Sequence, residues 1–191
     1  MNFRHEIEAG ITYHFQAGLY LADWSYLESP SSREHGFSYD ASAVELIYNL
    51  TNPTTDLIGS AIYQELRLGP KIIELESKII LQKNLNPFAL AYNVTFEAKW
   101  EGSDRNERAG EFSESLGLSF EASPSLSFGA ELLHEIDIPG WRHSSPSIVY
   151  GGPNVSWRRG SWWITITPLA QLTSVSSEVA VQTRVIVGHS F

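Results

Sequence analysis

Cysteine is absent from the 191 residues, which excludes a disulfide framework and thiolate metal sites. No run approaches the ~18 uninterrupted apolar residues that a spanning helix needs, so a helical membrane protein is excluded. Basic residues are scarce: 13 Lys and Arg stand against 22 Asp and Glu, a net charge of −9, and the cations are scattered singly or in pairs. No basic patch is available to neutralise phosphates, which excludes nucleic acid as a partner. The opening residues, MNFRHEIEAGI, have no charged n-region, apolar h-region or cleavage site.

Catalytic and metal signatures are missing too. The six histidines (His5, His14, His35, His134, His143, His189) lack the spacing of an HExxH motif. The pairs Glu74/Glu76 and Glu6/Glu8 only share a strand face, and no GxSxG elbow is present. No catalytic residue, cofactor or metal is expected. Gly151-Gly152-Pro153 precedes no helix and reads as a bulge or bend in a strand rather than a phosphate loop.

What the sequence does have is alternation. Segments of about ten or more residues with a period of two recur between short Gly/Pro/Asn/Asp/Ser stretches, which is the pattern of an all-β barrel or sandwich. Eleven antiparallel strands are expected near 3–12, 15–26, 37–51, 56–68, 71–83, 87–101, 109–122, 125–137, 146–158, 161–173 and 178–191, in one domain spanning 1–191. Their length suits strands that cross a bilayer, which need about nine to eleven residues, against five or six in ordinary sheets. Apolar content of 42%, aromatic content of 12% and a mean hydropathy of −0.15 fit a chain in which only alternate residues meet lipid.

The faces can be read directly. Ile73, Leu75, Ile79 and Leu81 oppose Glu74, Glu76, Lys78 and Gln82; Phe88, Leu90, Tyr92, Val94, Phe96 and Trp100 oppose Asn93, Thr95, Glu97 and Lys99. The polar side is rich in Ser, Gly, Asn and Thr, and Trp24, Tyr26, Phe88, Trp100, Trp157, Trp162 and Trp163 gather near strand ends as an interfacial girdle would. A soluble sandwich gives the same alternation with its apolar side inward, so that alternative stays open. Connections alternate in length as well. Those at 158–161, 122–125 and 83–87 are tight, and those at 138–146, 101–109 and 26–37 are long, while 68–71 and 51–56 depart from the rule.

The last strand, EVAVQTRVIVGHSF, sets Val179, Val181, Val185, Val187 and Phe191 against Gln182, Arg184 and Ser190. Ending on an aromatic is the habit of bacterial outer-membrane barrels, whose closing strand ends at the periplasmic rim. Counting back from Phe191 places the first strand's start on the outer side. Single-chain bacterial barrels have an even strand number, so a twelfth strand and a signal peptide are expected upstream of residue 1.

The segments EIEAGITYHFQAGLYL, IGSAIYQEL, ESKIILQKNLNPFALAYNVTFEAKWE and VQTRVIVGHSF resemble poorly characterised bacterial outer-membrane proteins. They are similar to the transporter-like barrels grouped with the phenol-degradation meta-pathway proteins. His189 departs from the pattern, an apolar residue being commoner two positions before the terminal Phe. The resemblance implies a transmembrane barrel in the outer membrane and passive transport or binding of a small solute, hydrophobic or aromatic by analogy. It carries over no catalytic residues.

Charged residues on the polar face are candidate lumen-lining groups: Glu65, Arg67, Glu74, Glu76, Lys78, Asn93, Glu97, Lys99, Glu131 and Arg184. Further acids (Glu6, Glu8, Glu45, Glu111, Glu121, Glu135) and bases (Arg4, Arg158) share that side. They select solutes, or they pair with one another and fill a narrow barrel. Expected partners are outer-membrane lipid, the barrel assembly machinery through the closing strand, and a small solute. An outer-membrane barrel enzyme acting on lipid or peptide, and a soluble ligand-binding barrel, are the alternatives.

Overall fold

A computed structural model describes residues 1–28 and 35–191. Eleven strands make up one sheet: β1 (Asn2–Gly10), β2 (Phe15–Glu28), β3 (His35–Thr51), β4 (Gly59–Leu68), β5 (Ile72–Leu85), β6 (Phe88–Glu101), β7 (Glu107–Ser123), β8 (Leu126–Pro139), β9 (Ile148–Arg159), β10 (Trp162–Gln171) and β11 (Val181–His189). Each strand pairs antiparallel with its neighbour in sequence, β1 through β11. The result is an up-and-down sheet curled into a half-barrel, all-β as the alternation predicts. Every expected strand is present; the middle of the expected 26–37 loop lies outside the described residues.

The curl is visible in contacts that skip strands. Arg4 on β1 donates to Glu65 on β4 at 2.8 Å, although two strands intervene. In a flat sheet those strands would stand ~14 Å apart, so the wall must bend sharply there. Small side chains line the inside of the bend: Ala41 and Ala43 are wholly covered.

The sheet is inside-out relative to a soluble protein. Its convex side carries apolar residues that remain exposed, among them Leu19, Val44, Ile62, Leu75, Ile79, Leu90, Leu118, Val155, Ile166 and Val187. Aromatics flank this aliphatic band at both rims. At the rim holding Phe191 lie Tyr48, Phe88, Phe120, Phe128, Trp157 and Trp162; at the far rim lie Phe3, Trp24, Phe37, Tyr39 and Trp141. They pair with one another: Phe88 with Phe120 at 5.2 Å, Trp24 with Tyr39 at 5.7 Å, and Trp162 with His189 at 4.7 Å between ring centroids. His189 thus joins a rim aromatic cluster. Val185 and Val187 of β11 project outward and are exposed, while Phe191, expected inside the closing strand, is exposed two residues beyond its end at His189.

Connections at the Phe191 rim are tight through β5–β10: residues 86–87, 124–125 and 160–161. The far-rim connections 140–147 and 172–180 are longer, and 69–71 is short. The 52–58 turn is long because Asn52 Oδ1 accepts from the Thr54 and Thr55 amides and Asp56 Oδ2 accepts from the Asn52 amide. That self-contained turn delays β4 to residue 59. β11 likewise begins at 181 instead of 178, since the preceding segment is drawn inward: the Val175 amide donates to Gln171 Oε1 at 2.7 Å, and Tyr150 Oη donates to Val179 O.

Two expectations are corrected. Gly151-Gly152-Pro153 causes no register shift, since β9 holds the same register with β10 on either side of it, but the β9–β10 pairing lapses between Gly151 and Val155 while that with β8 continues. Its glycines serve close approach, because a Cβ on Gly152 would lie 1.9 Å from the Pro168 carbonyl oxygen. Trp163 is not part of the outer girdle. It pairs with Arg158 and Gly188 on the concave side, and its ring lies where a Cβ on Gly188 would be, 2.2 Å away. A side chain at 188 would have to displace the indole. Gly188→Val should therefore cost ~1–3 kcal/mol through overpacking and shift tryptophan emission. An unchanged urea midpoint and spectrum would show that the ring does not rest on Gly188.

Candidate functional site

The concave wall concentrates the charge. All ten lumen candidates lie on it, and the cross-strand register shows their arrangement. Glu45 stands opposite Glu65, Glu65 opposite Glu76, Glu76 opposite Glu97, Glu97 opposite Glu111, and Glu111 opposite Asp137. One row across β3–β8 is therefore acidic at every strand. Directly opposed like charges destabilise a sheet, so the row must be compensated from the rows beside it.

The neighbouring rows supply that compensation. Arg67 and Lys99 flank Glu74 on one side of the ladder, and Lys78 lies on the other. Lys99 Nζ lies 2.7 Å from both Glu97 and Glu111, bridging two rungs. Lys78 Nζ is 2.6 Å from Glu76. Arg67 donates to Asp23 at 2.7 Å and to Glu74 at 3.1 Å, while Arg4 donates to Asp23 at 3.0 Å as well as to Glu65. Buried charges persist when paired and hydrogen-bonded; each of these is paired, although Glu76 Oε1 meets Lys78 as an ion pair without an aligned hydrogen bond.

Two tyrosines repeat one device. Tyr20 donates its hydroxyl to Glu45 at 2.9 Å, and Tyr63 donates to Glu65 at 2.6 Å. Each ring face in turn carries a cation: Arg4 lies 4.3 Å from the Tyr20 centroid and Lys78 lies 4.2 Å from that of Tyr63. A ring quadrupole attracts a cation on its face, so each tyrosine links an acid to a base. Glu65 is 1% exposed, which leaves it wholly dependent on Tyr63 and Arg4.

Elsewhere the wall is thinner in charge. Asn93 donates to Ser115 Oγ. Arg184 on β11 reaches Glu131 on β8. Leu133, which interrupts the polar side of β8, packs with Ile148, Tyr150, Leu169 and Val175 into a small apolar cluster on the same side. Val175 belongs to the connection drawn inward before β11. At the Phe191 rim, Arg158, Ser156, Ser161, Trp163, Thr165 and Ser190 line a recess of ≈ 670 Å³.

Two groups of three carboxylates bring oxygens within 4.8 Å of one another: Glu74/Glu76/Glu97 and Glu6/Glu8/Glu45. The first is already held by Arg67, Lys78 and Lys99. The second receives neutral donors only among the described residues, Tyr20 on Glu45 and Gln16 on Glu8. On this wall the acids outnumber the bases: among the described residues Glu6, Glu8 and Glu45 on β1 and β3, and Glu121, Glu135 and Asp137 on β7 and β8, take part in none of the ion pairs.

Asp23, the counter-ion shared by both arginines, is missing from the residues that alternation assigns to this face. Strict alternation from Tyr20 would send Asp23 outward. The register slips between Tyr20 and Asp23, which turns Asp23 inward and Trp24 outward. Glu114 is a second departure from the alternation, a carboxylate at an apolar position on the convex side between Phe112 and Leu116.

Residues 1–184 match the model of a family of unknown function, DUF6662. No curated protein matches the chain.

Asp23 is 3% exposed and anchors two guanidinium groups, so Asp23→Asn should destabilise the fold by about 3–5 kcal/mol. Glu121→Gln, at the exposed end of β7, should stay within about 0.5 kcal/mol. Equal urea midpoints for the two variants would show that the network contributes nothing at Asp23.

Proposed function

We propose that this chain, which belongs to the DUF6662 family of unknown function, is an integral outer-membrane β-barrel protein whose concave wall passes or binds a small solute. The observation that carries this reading is the inversion of the sheet: an exposed aliphatic band between two aromatic rims on the outside, and paired charges on the inside. Lipid requires such an outer face: the backbones of β2–β10 are paired on both sides, β1 and β11 on one, while alternate side chains meet hydrocarbon. A soluble barrel would turn the same apolar side inward.

The wall's charge favours one class of solute. Acids outnumber bases along it, and Glu6, Glu8 and Glu45 have no cation among the described residues. Rings of carboxylates raise the local concentration of cations and exclude anions. A small cationic or polar solute therefore fits better than the hydrophobic or aromatic one suggested by family likeness. Lys99, bridging Glu97 and Glu111, trims this negative potential at mid-wall. The closing strand, with Val185 and Val187 outward and Phe191 just beyond its end, is the element offered to an assembly machinery. No catalytic role is assigned to any residue.

The test is reconstitution. The protein should float with lipid vesicles, migrate differently on gels before and after heating, and conduct cations over anions in planar bilayers. Lys99→Ala should raise the cation preference, and Glu6→Gln with Glu8→Gln should lower it. A detergent-free soluble monomer would refute the membrane reading. Conductance with unchanged selectivity in these variants would remove the acidic wall from the solute path.

A further inference from the structure

The convex face carries one group that an apolar wall does not explain. Glu114 on β7 points outward between Phe112 and Leu116, midway along its strand. Directly across on β8 stands His134, whose Nδ1 lies 3.1 Å from Glu114 Oε2. Tyr92 on β6 donates its hydroxyl to the other oxygen, Oε1. Phe112 meets His134 edge-on at 6.5 Å. About a third of the Glu114 and His134 side chains remains exposed, 34% and 30%. An ionisable pair at mid-depth in hydrocarbon is costly and marks a place where something other than lipid is met.

We propose that this patch is an isologous interface between two copies of the chain, side by side in the same membrane. The inference rests on the reading of the convex face as lipid-facing. Its basis is the cross-strand register. Two copies in one membrane with the same orientation are related by a two-fold axis along the membrane normal. Such an axis, placed outside the wall between β7 and β8, sets β7 of one copy against β8 of the other. Cross-strand partners differ in height by less than the ~5 Å between opposed Cα atoms, so Glu114 of each copy faces His134 of the other.

Spanning strands tilt by about 35–45°, so the facing strands of the two copies cross over this pair, and the apolar residues Phe112, Leu116, Leu132 and Ile136 beside it surround the crossing. The patch is self-complementary in charge and in apolar contact, as an isologous two-fold interface requires. Nδ1 of His134 is engaged within its own copy, and Nε2 has no partner among the described residues. With both ring nitrogens protonated, Nδ1 donates to Glu114 of its own copy and Nε2 is the donor available to the facing Glu114. Hydrogen bonds of this kind hold spanning segments together in lipid, where apolar contact alone gives little preference over hydrocarbon.

Absence of cysteine makes the test clean. Leu116→Cys and Leu132→Cys variants, mixed in equal amounts in phosphatidylcholine vesicles and oxidised, should give a disulfide-linked dimer. Ile62→Cys, outward on β4, should give none. Adding Glu114→Leu with His134→Leu to both cysteine variants should abolish the cross-link while heat-dependent gel migration persists. The exchange Glu114→His with His134→Glu keeps the pairing and should restore it. Vesicle-bound, heat-modifiable protein that fails to cross-link overturns the interface and leaves the membrane reading intact. A dimer that survives the double leucine variant overturns the role of the pair, and protein that does not float with vesicles removes the premise itself.

Discussion

The compensation of the acidic ladder is the constraint on which the concave wall depends. Six neighbouring strands place a carboxylate in one cross-strand row, from Glu45 to Asp137, and such a row repels itself. Lys99 between two rungs, Lys78 on Glu76, and the two arginines converging on Asp23 turn that repulsion into a network. The arginines also tie distant strands: Arg4 spans β1 to β4, and Arg67 spans β4 to β2. Curvature and charge pairing are thus one problem. The wall has to bend for these side chains to meet, and the covered alanines beneath them make room.

The outer face follows the opposite logic. It presents aliphatic side chains over the middle of the strands and aromatics at the rims, and its few polar groups satisfy one another. Gln64 accepts from Ser77 on the adjacent strand, and Glu114 is held by Tyr92 and His134. The inner network resists rearrangement because its carboxylates are buried and paired. The outer trio is paired too, but about a third of the Glu114 and His134 side chains stays exposed.

Much of this was legible along the chain. A period of two over ten or more residues is a local property of backbone geometry, so the eleven strands and both faces of β5 and β6 could be read residue by residue. The placement of Glu65 through Lys99, Glu131 and Arg184 on one side followed. Where alternation breaks, reading fails. The slip after Tyr20 hid Asp23, and the inward draw of residues 172–180 shortened β11. Trp163 looked like a girdle residue from its position near a strand end, and only its pairing opposite Gly188 and Arg158 revealed the inner side.

By itself the sequence determined the class of structure: all-β, antiparallel, with one apolar and one charged face, because those follow from side-chain order and strand period. Tertiary structure alone decided which charges meet. Arg4 and Glu65 are 61 residues apart, and no local pattern encodes a contact made across a curled sheet. It also decided which face is concave. A sheet with two unlike faces can curl either way, and here the partnering of buried carboxylates with arginine, lysine and tyrosine sits on the inside of the bend.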